Sequence, residues 1–218
     1  MRRLCRPPRV PHAEMRTLTA VQARHLIHAT ETDSLRALYA VALASGARQG
    51  ELLALRWADC DLRAGTIRIT RTLDRGARGW TFTEPKMASS RRTVPIGPTA
   101  LEALRRHRKA QTEQRLRLGA AWTDLDLVFP SVVGTPLNGS NLLTRHYALL
   151  AGAGLPRVTW HDLRHSTATM LLEAGVHPRM VAERLGHATP SLVMNLYGLV
   201  TERMQGEATA ATEAALRR

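Results

Sequence analysis

Two arginines at separate helix starts are the residues best suited to chemistry here: Arg48 in Gly46-Ala-Arg-Gln-Gly-Glu51, and Arg164 in Thr159-Trp-His-Asp-Leu-Arg-His165. A guanidinium does not titrate and grips two oxygens at once, so two of them can neutralise both non-bridging oxygens of a phosphodiester without a metal. Glu51, three residues after Arg48, shares its helical face and can hold that guanidinium or a neighbour in place. Taken alone, the pair also reads as an ordinary surface contact. His161, Arg164 and His165 share one face of a second helix start, where the helix dipole favours an anion. The same His-Asp-x-x-His run is similar to a zinc-binding His-Glu-x-x-His. Against zinc stand the Asp in the middle, the lack of a third ligand at fixed spacing, and a cation on the same face. No metal is expected.

Two further places complete the set. Leu185-Gly-His187 is followed ten residues later by Tyr197 in Leu196-Tyr-Gly198. A tyrosine beside a glycine at a helix end can be mobile and exposed, although a tyrosine considered alone is more often a core aromatic. Lys86 stands in Glu84-Pro-Lys86, leading into Ser89-Ser-Arg91-Arg92-Thr-Val94-Pro95, and is one of only two lysines beside 29 arginines. A phenol hydroxyl can attack phosphorus if a positive field and a proton acceptor such as histidine offset its ordinary pKa of about 10. The leaving 5′ oxygen then needs a proton, which lysine can give up and arginine cannot.

The elements that must position these groups are mostly helices. Thr19 offers an N-cap for Ala20–Ala29, Asp33 one for a run ending at Gly46, and a third helix starts near Gln49. The period then shortens. Alternation in 66–72 and again in 80–83, with Gly76 and Gly79 between, predicts a hairpin, and 91–96 a third strand. Pro98 opens a long charged helix to about Leu118, closed by Gly119. Beyond a loop containing Gly134, Asn138 and Gly139, helices are expected over about 140–151, 160–174, 178–186, 190–197 and 201–216. The fold class is therefore mainly α with a small three-stranded antiparallel sheet (α+β). Residues 1–14, rich in Arg and Pro, read as a basic linker, 15–200 as one domain, and 201–218 as a C-terminal helix or tail.

The 218 residues carry a formal charge of +13 and are 44% hydrophobic, which suits one sizeable core and an anionic partner. No apolar run approaches a membrane span and the basic start lacks a signal-peptide core, so a cytoplasmic location and no membrane partner are expected. Two cysteines, Cys5 and Cys60, make no disulfide framework. Arginines concentrate around the hairpin, and Arg68, Arg71, Arg91, Arg92 and His165 are the candidate DNA contacts, giving affinity through phosphates.

In the order Arg48, Lys86, His161-x-x-Arg164, His187, Tyr197, the chain resembles the catalytic domain of the tyrosine recombinases, the phage integrase family, from about Met15 to Met204. The resemblance implies Arg48 and Arg164 as phosphate ligands with Glu51 as acidic support, and Lys86 as general acid to the 5′ oxygen. It implies His161 as proton acceptor or phosphate donor, His187 as a further donor, and Tyr197 as the nucleophile forming a 3′-phosphotyrosyl bond. Such a bond conserves the phosphodiester energy, so no cofactor is called for. It further implies double-stranded DNA as substrate and a homo-tetramer at synapsis, with residues 201–216 able to be exchanged between neighbours. The family's N-terminal core-binding domain is expected to be absent, which raises a clamp-domain partner or an accessory DNA-bending protein as further partners. Tyr197-Gly-Leu199 replaces a motif often written Y-G-H. The competing readings are a catalytically idle remnant that occupies recombination sites, a topoisomerase-like relaxer with the same chemistry, and a zinc hydrolase.

Overall fold

The computed structural model describes residues 16–76, 79–84 and 91–186, with 206, 209, 212, 213 and 215–217 near the C-terminus. Helix α1 (Ala20–Ala29) begins at a reciprocal cap, in which the Thr19 hydroxyl accepts from the Gln22 amide and the Gln22 side chain accepts from the Thr19 amide. Helix α2 (Arg36–Ser45) is alanine-rich and apolar on nearly every face, with Leu38, Tyr39 and Val41 fully buried. A helix patterned all round in this way belongs at the centre of a core. It packs against helices α4 (Pro98–Leu118) and α6 (Trp160–Glu173). Asp33 does not cap it directly; its carboxylate accepts from the Leu35 amide at 2.7 Å and pairs with Arg145, and the helix starts three residues after Asp33.

Short helix α3 (Gln49–Leu53) leads through a 3-10 turn (Trp57–Asp59) into strand β1 (Cys60–Asp61). The three-stranded antiparallel sheet has the order β1, β2 (Thr66–Ile69), β5 (Arg92–Pro95), with Ile67 opposite both Cys60 and Val94. The expected hairpin is divided differently from the 66–72 with 80–83 pairing. Residues 66–69 pair with β5, and a separate two-stranded hairpin joins β3 (Thr72–Gly76) to β4 (Gly79–Thr83). The chain leaves the first sheet at Thr70 because β3 lies across α3, where Gly50 abuts Thr72 and Leu73 so closely that a Cβ there would stand 2.4 Å from the Thr72 hydroxyl.

Helix α4 buries a narrow stripe, Ala100, Ala103 and Leu104, and leaves its charged faces in water. Helix α5 (Gly139–Gly152) is capped by the Asn138 side chain, and α6 by a Thr159/Asp162 box in which the Asp162 carboxylate accepts from the Thr159 amide at 2.7 Å. Helix α7 (Pro178–Leu185) packs on α6 through Val181, Ala182 and Leu185. Beneath the start of α6, Trp160 stacks on Tyr39, and the Tyr39 hydroxyl lies 3.1 Å from His146 Nδ1. His146 Nε2 is 2.9 Å from the Val158 carbonyl and must donate to it, so Nδ1 accepts from the tyrosine. This buried anchor joins α2, α5 and α6. Of the expected C-terminal helices, 190–197 lies outside the described residues, while 206, 209, 212, 213, 215 and 216 are helical and exposed. Among the described residues no helix is long and apolar enough to cross a membrane.

Candidate active site

Gly46 sets the first half of the site. It closes α2 in the left-handed conformation at φ 61°, its amide donating to the Ala42 carbonyl at 2.8 Å, and so turns the chain sharply into α3. A Cβ at this position would also stand 2.3 Å from Leu185 Cδ2. Only glycine meets both demands. Its carbonyl accepts from Arg164 Nη1 at 2.8 Å, so one residue places the start of α3 and the second arginine together.

Arg48 is the N-cap of α3, and Glu51 is the acid one turn on. The Glu51 carboxylate accepts from the Arg48 amide at 2.9 Å and from Arg48 Nη1 at 2.8 Å. From β5, Arg92 Nη2 and Nη1 reach the same carboxylate at 2.9 and 3.3 Å, and Arg92 Nε donates to the Arg184 carbonyl at 2.8 Å. Glu51 and Arg92 side chains are only 4% and 6% exposed. Burial pushes the Glu51 carboxyl up, but hydrogen bonds and charge from Arg92, then from Arg48, outweigh it and hold the group below the ordinary carboxylate range. Gly186, in the left-handed region at φ 70°, lies flat against the Arg92 guanidinium, and a Cβ there would approach Nη1 to 2.8 Å.

Arg164 is 2% exposed, and its Nε and Nη2 have no partner among the described residues. Burial first, then the neighbouring Arg48, lowers its pKa to about 9, with Glu51 opposing the shift. His161 lies at the surface above it, and its pKa is lowered by burial, Arg164 and Arg48. His165 packs edge-on against His161 with ring centroids 4.5 Å apart, and burial and His161 lower its pKa likewise. Arg48, Arg92 and Arg164 face one carboxylate, so the cluster carries an excess of two positive charges beside two neutral imidazoles. Such a centre suits an anion with several acceptor oxygens.

The phage integrase family pattern matches residues 16–203. The chain belongs to the phage integrase family. It is 33% identical over 207 residues to a tyrosine recombinase XerC-like protein of Caldanaerobacter subterraneus subsp. tengcongensis, covering 89% of this chain and 53% of that one. It is 31% identical over 207 residues to an integrase of Streptomyces ambofaciens, covering 89% and 52%. The chain thus spans about half the length of these curated relatives. Among solved structures, the Tn1549 transposon integrase in complex with transposon right end DNA superposes with TM-score 0.77 at 20% identity, over 93% of this chain and 69% of that one. XerA recombinase superposes with TM-score 0.69 at 26% identity, over 94% and 66%. The mainly helical fold with its small antiparallel sheet is that of the integrase-family catalytic domain.

Within this family frame, the structure brings Arg48, Glu51, His161 and Arg164 to one place. Lys86, His187 and Tyr197 lie outside the described residues. Of the candidate DNA contacts, Arg92 has its guanidinium buried on Glu51 and the Arg184 carbonyl, and His165 is buried against His161. The signal for Arg92 was present: Arg92 and Val94 alternate along β5 and Ile96 continues the alternation just past its end, which sends all three inward. Arg68 and Arg71 converge on buried Asp59, and Arg91 pairs with Glu84. Among the described residues no group of three or more His, Cys, Asp or Glu is arranged to hold a metal ion.

Proposed function

We propose that this chain is the catalytic domain of a site-specific DNA recombinase that cuts and rejoins strands through a 3′-phosphotyrosyl intermediate. The observation that carries the reading is Arg164, a buried guanidinium with two unpartnered nitrogens held beside Arg48 in a cluster of net positive charge. An anion with oxygens at those nitrogens would satisfy them and offset the unfavourable burial of the cation. In this reading Arg48 and Arg164 bind the non-bridging oxygens of the scissile phosphate. His161, kept neutral at physiological pH by burial and the two arginines, accepts the Tyr197 proton. The Tyr197 oxygen bonds to phosphorus, the bond to the 5′ oxygen breaks, and Lys86 supplies the proton that leaves with it. His187 donates to the phosphate. Attack by a 5′ hydroxyl reverses the sequence, so the bond energy is retained and rejoining needs no nucleotide. The partners that go with this reading are double-stranded DNA, further copies of the chain at synapsis, and a protein supplying a clamp or a DNA bend.

A covalent-trapping assay tests it. Wild type and Tyr197→Phe are incubated with nicked suicide duplexes carrying candidate attachment sequences, and a denaturant-resistant complex is sought. The expected result is an adduct with wild type alone. DNA binding with no adduct on any duplex, with or without a partner, would transfer the chain to the idle site-occupying reading.

A further inference from the structure

The opposite face of the small sheet holds a second basic site. Arg92 turns inward to Glu51, whereas the residue before it, Arg91, lines a groove of about 480 Å³ on the other side, between the end of β2 and β4. Four guanidinium groups, Arg56, Arg68, Arg71 and Arg91, meet two carboxylates there, Asp59 and Glu84. Asp59 is buried; one oxygen accepts from Arg68 Nε and Nη2 at 3.3 and 3.2 Å, and the other from Arg71 Nη2 at 3.2 Å. These bonds are longer than the roughly 2.7–2.9 Å of tight charge-assisted pairs, so Asp59 orients both guanidinium groups without exhausting them. Arg56 lies over the Phe82 ring at 5.7 Å, and its Nε is buried with no partner among the described residues. The Thr70 hydroxyl, in the same groove, is in the same condition. Surplus charge and two unsatisfied buried donors therefore coincide, and both are relieved by an acceptor anion.

We infer that this groove binds one phosphate of the DNA backbone other than the scissile one, with Asp59 as the residue that presents Arg68 and Arg71 to it. The inference rests on the recombinase reading for its DNA. Arg91 and Arg92 are consecutive, so the groove and the arginine cluster are one residue apart along the chain and take their arginines from opposite faces of the sheet.

The test measures binding of the full chain to a short duplex of arbitrary sequence over a range of salt concentrations. Arg68 and Arg91 side chains are 60% and 53% exposed, so Arg68→Gln/Arg91→Gln should fold normally. It is expected to lower the slope of log affinity against log salt by about 0.9, the value for one phosphate. Thr70→Val removes a neutral donor and is expected to weaken binding about 5-fold with the slope unchanged. A single methylphosphonate linkage that weakens wild type should have no effect on the double variant. An unchanged slope and affinity in every variant overturns the inference alone, and so does a slope loss twice as large, which would mean two separate contacts. Stoichiometric calorimetric binding of inorganic phosphate, lost in the double variant while duplex binding is untouched, reassigns the groove to a free anion and overturns it too. Wild type that binds no duplex overturns the recombinase reading with it.

Discussion

One oxygen of Glu51 receives the Arg48 backbone amide and the Arg92 side chain, each at 2.9 Å, so a single buried carboxylate fixes both the start of α3 and the inner face of β5. Removing Arg92 leaves Glu51 buried with Arg48 as the one arginine among the described residues still hydrogen-bonded to it. Arg92→Ala should cost about 3 kcal/mol, by analogy with other broken buried pairs. Urea denaturation checks this through a lower midpoint at unchanged slope. Arg92→Lys should recover only part, because an ammonium cannot donate to Glu51 and the Arg184 carbonyl through one rigid fork.

Glu51 also makes stability depend on acid. Its folded pKa is depressed, so its contribution is complete above the unfolded value near 4.5 and is lost as pH falls through the lower folded value. Glu51→Gln should be less stable than wild type at neutral pH and show a flatter loss below about pH 4.5. Parallel acid titrations of the denaturation midpoint would decide it; equal slopes would count against the depressed carboxyl.

Four histidines shape stability at higher pH. His107, His146, His161 and His165 all have folded pKa values below 6.5, burial being the first cause in each. Their unfolded forms bind protons first, so stability should fall as pH drops from above 6.5 through the folded values. His146→Gln should remove part of that dependence, measured as a smaller change in Tm between pH 7 and pH 5, together with the loss of the bond from Tyr39.

Gly46→Ala combines left-handed backbone strain with a contact 2.3 Å from Leu185 Cδ2. A cost of about 2–4 kcal/mol is expected from the two effects together. Pairing it with Leu185→Ala should relieve the contact and leave only the backbone part, which a double-mutant cycle in thermal melts would expose.

Arg164→Lys keeps a charge and loses the fork. Under the proposed reaction, strand cleavage should drop about 10²–10³-fold, the scale seen when one donor to a developing oxyanion is removed. The readout is the rate of covalent adduct formation on a nicked duplex, with duplex affinity measured beside it. A rate equal to wild type would remove Arg164 from the phosphate.

The helices at Ala20–Ala29, Gln49–Leu53 and Pro98–Leu118 were legible because their signals are local: Thr19 with Gln22, Arg48 with Glu51, and Pro98 with Gly119 all lie within the element they mark. Arg48, His161 and Arg164 were legible for the same reason, since residue type and i, i+3 spacing place them at helix starts. What the sequence alone left undecided depends on contacts between distant segments. The run 66–72 alternates without interruption, and only the passage of β3 over α3 divides it between two sheets. Arg92 and Arg91 are neighbours of the same type, and burial of one strand face sends the first to Glu51 and the second to the groove. Gly46 reads as a helix stop, yet its second duty, holding Arg164 through its carbonyl, joins residues 118 positions apart. Local propensity determined the elements and the chemistry they bear; the pairing of charges across the fold was decided by which faces the shared core covers.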